Sequence, residues 1–246
     1  MATQIESSDD FSATLAEVEL LLRESDDSAP GAPRENERRA AVLNKAALLL
    51  LTGKFEAFLE AAAEDFLFAV NQIGVRACHI PARLLAEHSV RAVAGIEQRL
   101  SNGDLAAVAG TFSALARRWA EAEPCTDLAI SCKFNYGKHG EAEVIKLFKR
   151  FGFDDLFENV PVVDDTQEIY EGQTPSVIDI KGIVNSLTGI RNNILHQDES
   201  PTLTADGLRK QSAILQRFAS ELVKALQAVV DGTEKRLQDE GAANAR

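Results

Sequence analysis

Residues Glu37–Asn71 read ERRAAVLNKAALLLLTGKFEAFLEAAAEDFLFAVN, with no proline and a single glycine, Gly53. Apolar residues return at helical spacing through Leu48–Leu51, Phe55, Phe58, Leu59, Phe66, Leu67 and Val70. They fall on almost every side of the helix, as expected for the central member of a bundle. Glu56 projects among Leu49, Leu59, Ala63, Leu67 and Val70, and a carboxylate inside an apolar arc wants a cation. The same edge also carries Thr52 and Glu60, so a wet edge is the competing reading of Glu56.

Working outward, the rest of the chain also reads as helix. Phe11–Glu24 is amphipathic through Leu15, Val18, Leu21 and Leu22. Ser25–Pro33 carries two prolines, a glycine and two acids, and is expected to be a hinge. Downstream, helices are predicted from Pro81 to Leu100 and from Leu105 to Glu121, the latter capped by Asp104. A loop follows over residues 125–140, then a short helix from Gly140 to Phe151. A second, acidic loop runs from Asn159 to Thr174 and is strand-prone only at Val160–Val163. A helix is predicted from Val177 to Leu195, and Thr204 is placed to cap a last one reaching toward Leu237. These elements predict an all-α, up-and-down helical bundle with an extra N-terminal helix. The expected division is residues 1–34 as N-terminal helix and linker, 35–240 as the helical domain and 241–246 as a disordered tail.

Composition limits the function. The 246 residues carry a formal net charge of −12, which argues against a broad nucleic-acid-binding surface and leaves room only for a local basic patch. Cys78, Cys125 and Cys132 are too scattered for a disulfide framework and lack paired metal-ligand spacing, and the match of Cys78, His79 and His88 to a metal site is weak. No metal and no cofactor is therefore expected. No secretory signal is visible, and the apolar run Ala46–Gly53 is too short to cross a bilayer, so a cytoplasmic protein without a membrane partner is expected. Phosphate-loop, dinucleotide, zincin and nucleophile-elbow motifs do not occur.

The sharpest anomaly is Arg191-Asn192-Asn193-Ile194-Leu195-His196. Ile180, Ile183, Val184, Leu187, Ile190, Ile194 and Leu195 form an apolar stripe, and Arg191 projects into it. A guanidinium there needs a partner or a wet cavity, and Glu56 is the expected partner. If the helix ends at Leu195, His196 can curl back toward Arg191, joining a fixed cation to a group that titrates near neutrality. A base for a 2′-hydroxyl and a cation for the crowded phosphate are the tools of metal-free RNA cleavage. The plain alternative is an arginine snorkelling out of the stripe beside a histidine that caps the last carbonyls. Lys133–Gly140, with Lys133, Lys138, His139 and two aromatics before a helix start, is the other candidate RNA contact, extended by Lys146, Lys149 and Arg150. It also fits an ordinary polar loop.

Arg191, a polar residue, three more residues and His196 resemble the signature of the HEPN superfamily. Asn44–Leu59 is similar to the opening helix of its RiboL-PSP and MAE_28990-like members, and Gly189–His196 to their later motif helix. The resemblance covers roughly Asn36 to Leu237 in order and layout. It implies a helical bundle, a homodimer that brings two motif helices together, and often metal-independent RNA cleavage in toxin or phage-defence systems. By position it implies Arg191 and His196 as the catalytic pair, with Asn192 as the motif's polar residue; Glu56 is placed in support by its own projection toward Arg191. The glycine that often follows the histidine is replaced by Gln197-Asp198. RNA is the implied partner, beside a possible antitoxin or other protein. A non-catalytic module binding a protein or nucleotide is the alternative.

Overall fold

In the computed structural model, residues 4–28, 34–121, 123–134, 140–164, 176–197 and 204–244 are described. The long apolar segment forms α2 (Arg34–Ile73), the axis of the bundle. It packs against α1 (Ser7–Ser28), α6 (Glu141–Lys149), α8 (Ile180–Gln197) and α9 (Ala205–Asn244). Leu48, Leu51, Phe55, Phe58, Leu59, Ala62, Ala63 and Phe66 are buried along it, which explains a helix apolar on nearly all sides.

The N-terminal helix joins this core. Phe11 of α1 lies 5.9 Å from Phe55 and 5.1 Å from Phe58, ring centre to ring centre. Ser25 bonds Ala40 O, and Lys54 pairs with Glu17, so α1 lies antiparallel along α2. Arg209 of α9 reaches Glu19 and Asp26 of α1 at 3.0 and 2.6 Å. The expected hinge begins inside α1, which continues to Ser28, and residues 29–33 lie outside the described residues. In α9, Leu208, Leu215, Phe218, Leu222 and Leu226 are buried as expected, the stripe ends on buried Val230 rather than the expected Val229, which is exposed, and Thr204 accepts the Gly207 N–H at the helix start. The polar continuation past Leu237 stays helical to Asn244.

Between α2 and α6 the chain makes an excursion through α3 (Ala82–Ala94), α4 (Ile96–Ser101) and α5 (Leu105–Trp119). The continuous helix expected from Pro81 to Leu100 is broken at Gly95, which ends α3 and precedes α4. A short 3-10 turn at Ala77–His79 and α7 (Leu156–Asn159) complete the helices, and Asp155 accepts the Phe157 N–H at the start of α7. Asp104 caps α5 as expected, taking the Ala107 N–H at 3.0 Å. Among the described residues no strand forms. The strand-prone Val160–Val163 gives one antiparallel bridge, Val163 to Val177, with Ile178 N–H bonded to Val162 O. The loop before α6 is tied down at Leu128, where the Asn71 side chain bonds both backbone N–H and C=O.

Candidate functional site

The motif helix α8 has a defined start. The Asp179 carboxylate accepts the Gly182 N–H at 2.8 Å, and a methyl at Gly182 would collide with that carboxylate, so the cap depends on the glycine. From there Ile180, Val184, Leu187 and Ile194 bury one face, and Arg191 sits on the same line. Leu195, expected on that stripe, is instead exposed at its margin.

Arg191 meets Glu56 as expected from their projections. Its Nη1 stands 3.7 Å from Glu56 Oε1, with the two side chains 19% and 22% exposed. This is an ion pair without hydrogen-bond geometry, and both groups keep a route to water. Below it, Thr52 bonds back to Leu48 O and Leu49 O, so its hydroxyl is satisfied within α2. Thr52, Phe55, Glu56, Val184, Leu187 and Thr188 line a mostly apolar cavity between α2 and α8, with Phe134 and Gly140 on its wall. Gly140 starts α6 at φ 122, a conformation that favours glycine.

His196 is placed differently from the expectation. The helix continues to Gln197, so His196 stays in helical register, five residues and about 140° around from Arg191. The return of the imidazole that an end at Leu195 would permit does not occur. His196, Asn192 and Asn193 are all exposed to solvent. Within one chain, Arg191 faces α2 and His196 faces outward.

The second candidate region is electrostatically occupied. Lys133 pairs with Glu60 at 3.2 Å and Glu64 at 3.0 Å, and the hydrogen bonds it donates to Glu64 and Glu60 hold its ammonium above the usual lysine range. Glu60 also accepts the Phe134 N–H at 2.7 Å. Lys138 and His139 lie outside the described residues. Lys146 pairs with Glu143, Lys149 with Asp154, and Arg150 with Glu87. Glu56, Glu60 and Glu64 follow one another at i, i+4 along α2, a ridge the sequence displays; it points to Arg191 for Glu56 but hides Lys133 as the partner of Glu60 and Glu64.

The residues weighed for a metal site are separated. His79 bonds Glu240, while buried His88 accepts the Ala129 N–H at Nδ1 and has Arg118 Nη1 2.7 Å from Nε2. Burial, then the Arg118 charge, push the His88 pKa down. Burial raises the Cys132 thiol to about 11. Among the described residues no group of three or more His, Cys, Asp or Glu side chains could hold a metal ion. No helix among them is long and apolar enough to cross a membrane.

A family model for RiboL-PSP-HEPN domains matches residues 10–228, beginning within α1 and reaching well into α9. Comparison with curated proteins and with solved structures gives no significant match. The matched span contains the paired Glu56 and Arg191 and the whole of the motif helix, and the all-helical architecture agrees with it. The chain belongs to the RiboL-PSP type of the HEPN superfamily.

Proposed function

We propose that this HEPN domain is a metal-independent endoribonuclease of a toxin or phage-defence system, acting as a homodimer through its motif helices. The observation that carries the reading is Arg191, a cation on the inward face of α8, oriented by Glu56 yet open to solvent. A phosphate that approaches can take the guanidinium without a deeply buried charge being stripped of its partner. His196 of the same motif removes the 2′-hydroxyl proton. The 2′-oxygen then bonds to the adjacent phosphorus, the bond to the 5′-oxygen breaks, and that oxygen leaves as a hydroxyl after gaining a proton. Arg191 stabilises the charge on the five-coordinate phosphate. Because the two side chains point about 140° apart on one helix, the reading places the cleft between two copies, each offering Arg191 and His196. Asn192 adds an amide donor, and Lys133, Lys138 and His139 flank the RNA. The domain division at residues 34 and 240 and a cytoplasmic location belong to the same reading.

The test is cleavage of a labelled single-stranded RNA in EDTA by the wild-type chain and His196→Ala, purified identically. Products with a 2′,3′-cyclic phosphate and a 5′-hydroxyl from wild type alone are expected. A 3′-hydroxyl product, or equal cleavage by both proteins, overturns the mechanism. The competing reading is a non-catalytic module that binds a protein partner such as an antitoxin. The net charge of −12 and the basic side chains of the Lys133 region already paired with acids support it. It predicts equal bacterial growth on expression of either form, whereas the ribonuclease predicts growth arrest by wild type only.

A further inference from the structure

Within the excursion, α5 buries little of its own apolar surface. On α5 only Leu115 is buried. Leu105, Phe112 and Trp119 are 67%, 54% and 48% exposed, and Ala109 and Ala116 between them are exposed as well. Their spacing is 4-3-4-3, which confines all five to a stripe about 80° wide and matches the seam of a helix made to pair with another. Ser89 Oγ accepts the Trp119 indole N–H, and Arg99 donates to Thr111, so α3 and α4 lie alongside α5 in the opposite direction. On these two helices Val93 and Leu100 are exposed as well. A continuous apolar strip on a chain of net charge −12 calls for a cover.

We propose that the cover is a second copy of this chain, with α5 pairing antiparallel to α5 about a two-fold axis at Phe112. The stripe reads large, small, large, small, large, and is symmetric about its centre. Reversing it sets Leu105 against Trp119, Ala109 against Ala116 and Phe112 against itself, so bulky pairs alternate with alanine pairs that leave them room along the seam. Charge agrees with this direction: Asp104 stands at one end of α5 and Arg117 and Arg118 at the other. The antiparallel pair brings unlike ends together and opposes the helix dipoles, while a parallel pair stacks like with like. Arg117 and Arg118 already bond Glu123 and Asp127, so this contribution sets orientation more than affinity. With roughly 150–250 Å² for a large side chain, the exposed stripe with Val93 and Leu100 offers on the order of 500 Å² per copy. Two copies cover about 1,000 Å², the lower bound for a specific contact. The association is separate from the motif-helix pairing, and the seam carries no residue assigned to cleavage.

The test uses the full chain with exposed Cys78 changed to serine, which leaves only buried Cys125 and Cys132. Phe112→Cys in that background should give a disulfide-linked dimer on mild oxidation, because the axis sets residue 112 against its own copy. Leu105→Cys alone should not link, and Leu105→Cys with Trp119→Cys should. In sedimentation, Phe112→Glu should weaken association beyond the motif-helix dimer at least tenfold while the circular dichroism spectrum stays that of wild type. A link through Leu105→Cys alone overturns the antiparallel register. A chain that stays dimeric as Phe112→Glu and never links through Phe112→Cys pairs elsewhere, which overturns the proposal and leaves the motif-helix dimer standing. A wild-type chain that is monomeric at all concentrations overturns both and assigns the seam to another protein.

Discussion

Arg191 and Glu56 show what a part-buried ion pair can and cannot supply. At 3.7 Å and about one-fifth exposed, the pair contributes modestly to stability, and its larger effect is to fix where the guanidinium points. A double-mutant cycle with Arg191→Ala and Glu56→Gln should give a coupling of about 0.5–1 kcal/mol in urea unfolding. Glu56→Gln should slow RNA cleavage yet leave more activity than Arg191→Ala, and zero coupling would remove Glu56 from the site. His88 offers a pH test away from the motif. Its folded-state pKa is lowered by burial and by Arg118, against a weaker opposing effect of Asp127. The unfolded chain therefore binds this proton more readily than the folded one. The stability His88 contributes is complete above its ordinary value of about 6.5 and is lost as pH falls toward the lowered folded value. Between pH 7.5 and 5.5 wild type should lose stability more steeply than His88→Gln, with a difference below about 1.4 kcal/mol per pH unit for one proton. Equal slopes would mean that His88 binds its proton equally well in the folded and unfolded chain.

Among the elements, α8 is the one whose position decides the site, and its start rests on Asp179. Asp179→Ala should cost about 1 kcal/mol in urea unfolding, the usual value of a lost N-cap. Gly182→Ala should cost a similar amount by pushing the carboxylate aside, and the two should be less than additive because they damage one cap. Additive losses would show that Gly182 matters for another reason. The long helices were legible because burial on many sides leaves a dense 3.6-residue pattern, as in α2 and α9. The break at Gly95 was not, because a lone glycine is tolerated within a helix and only packing decides whether the chain turns there. α7 is a single turn, too short for periodicity to register. In the site, Arg191 and Glu56 could be paired from sequence because each stood out against an apolar face. His196 could not be placed, because its direction depends on two residues at a helix end, where sequence signals are weakest.

At the scale of the molecule, the charge sets how RNA can be held. A surface of net charge −12 repels a polyanion, and Lys133, Lys146, Lys149 and Arg150 each stand beside a carboxylate of the same chain. Breaking those pairs to contact phosphate returns the acids to the field, so the net gain per lysine is small. The proposed site supplies two phosphate contacts, Arg191 from each copy of the proposed dimer. For single strands the logarithm of the affinity falls by about 0.7 per released counterion for each logarithm of salt. Two contacts thus give a slope near −1.4, about a 25-fold loss across a tenfold rise in salt, whereas a basic groove with six or more contacts loses over ten-thousandfold. Fluorescence anisotropy of labelled RNA on His196→Ala, which the proposed mechanism leaves able to bind and unable to cut, should show the shallow slope. Arg191→Ala on that background should flatten it to near zero. A slope steeper than about −4 would require a basic surface beyond Arg191. The segment at residues 135–139, with Lys138 and His139, would then be the first place to seek it.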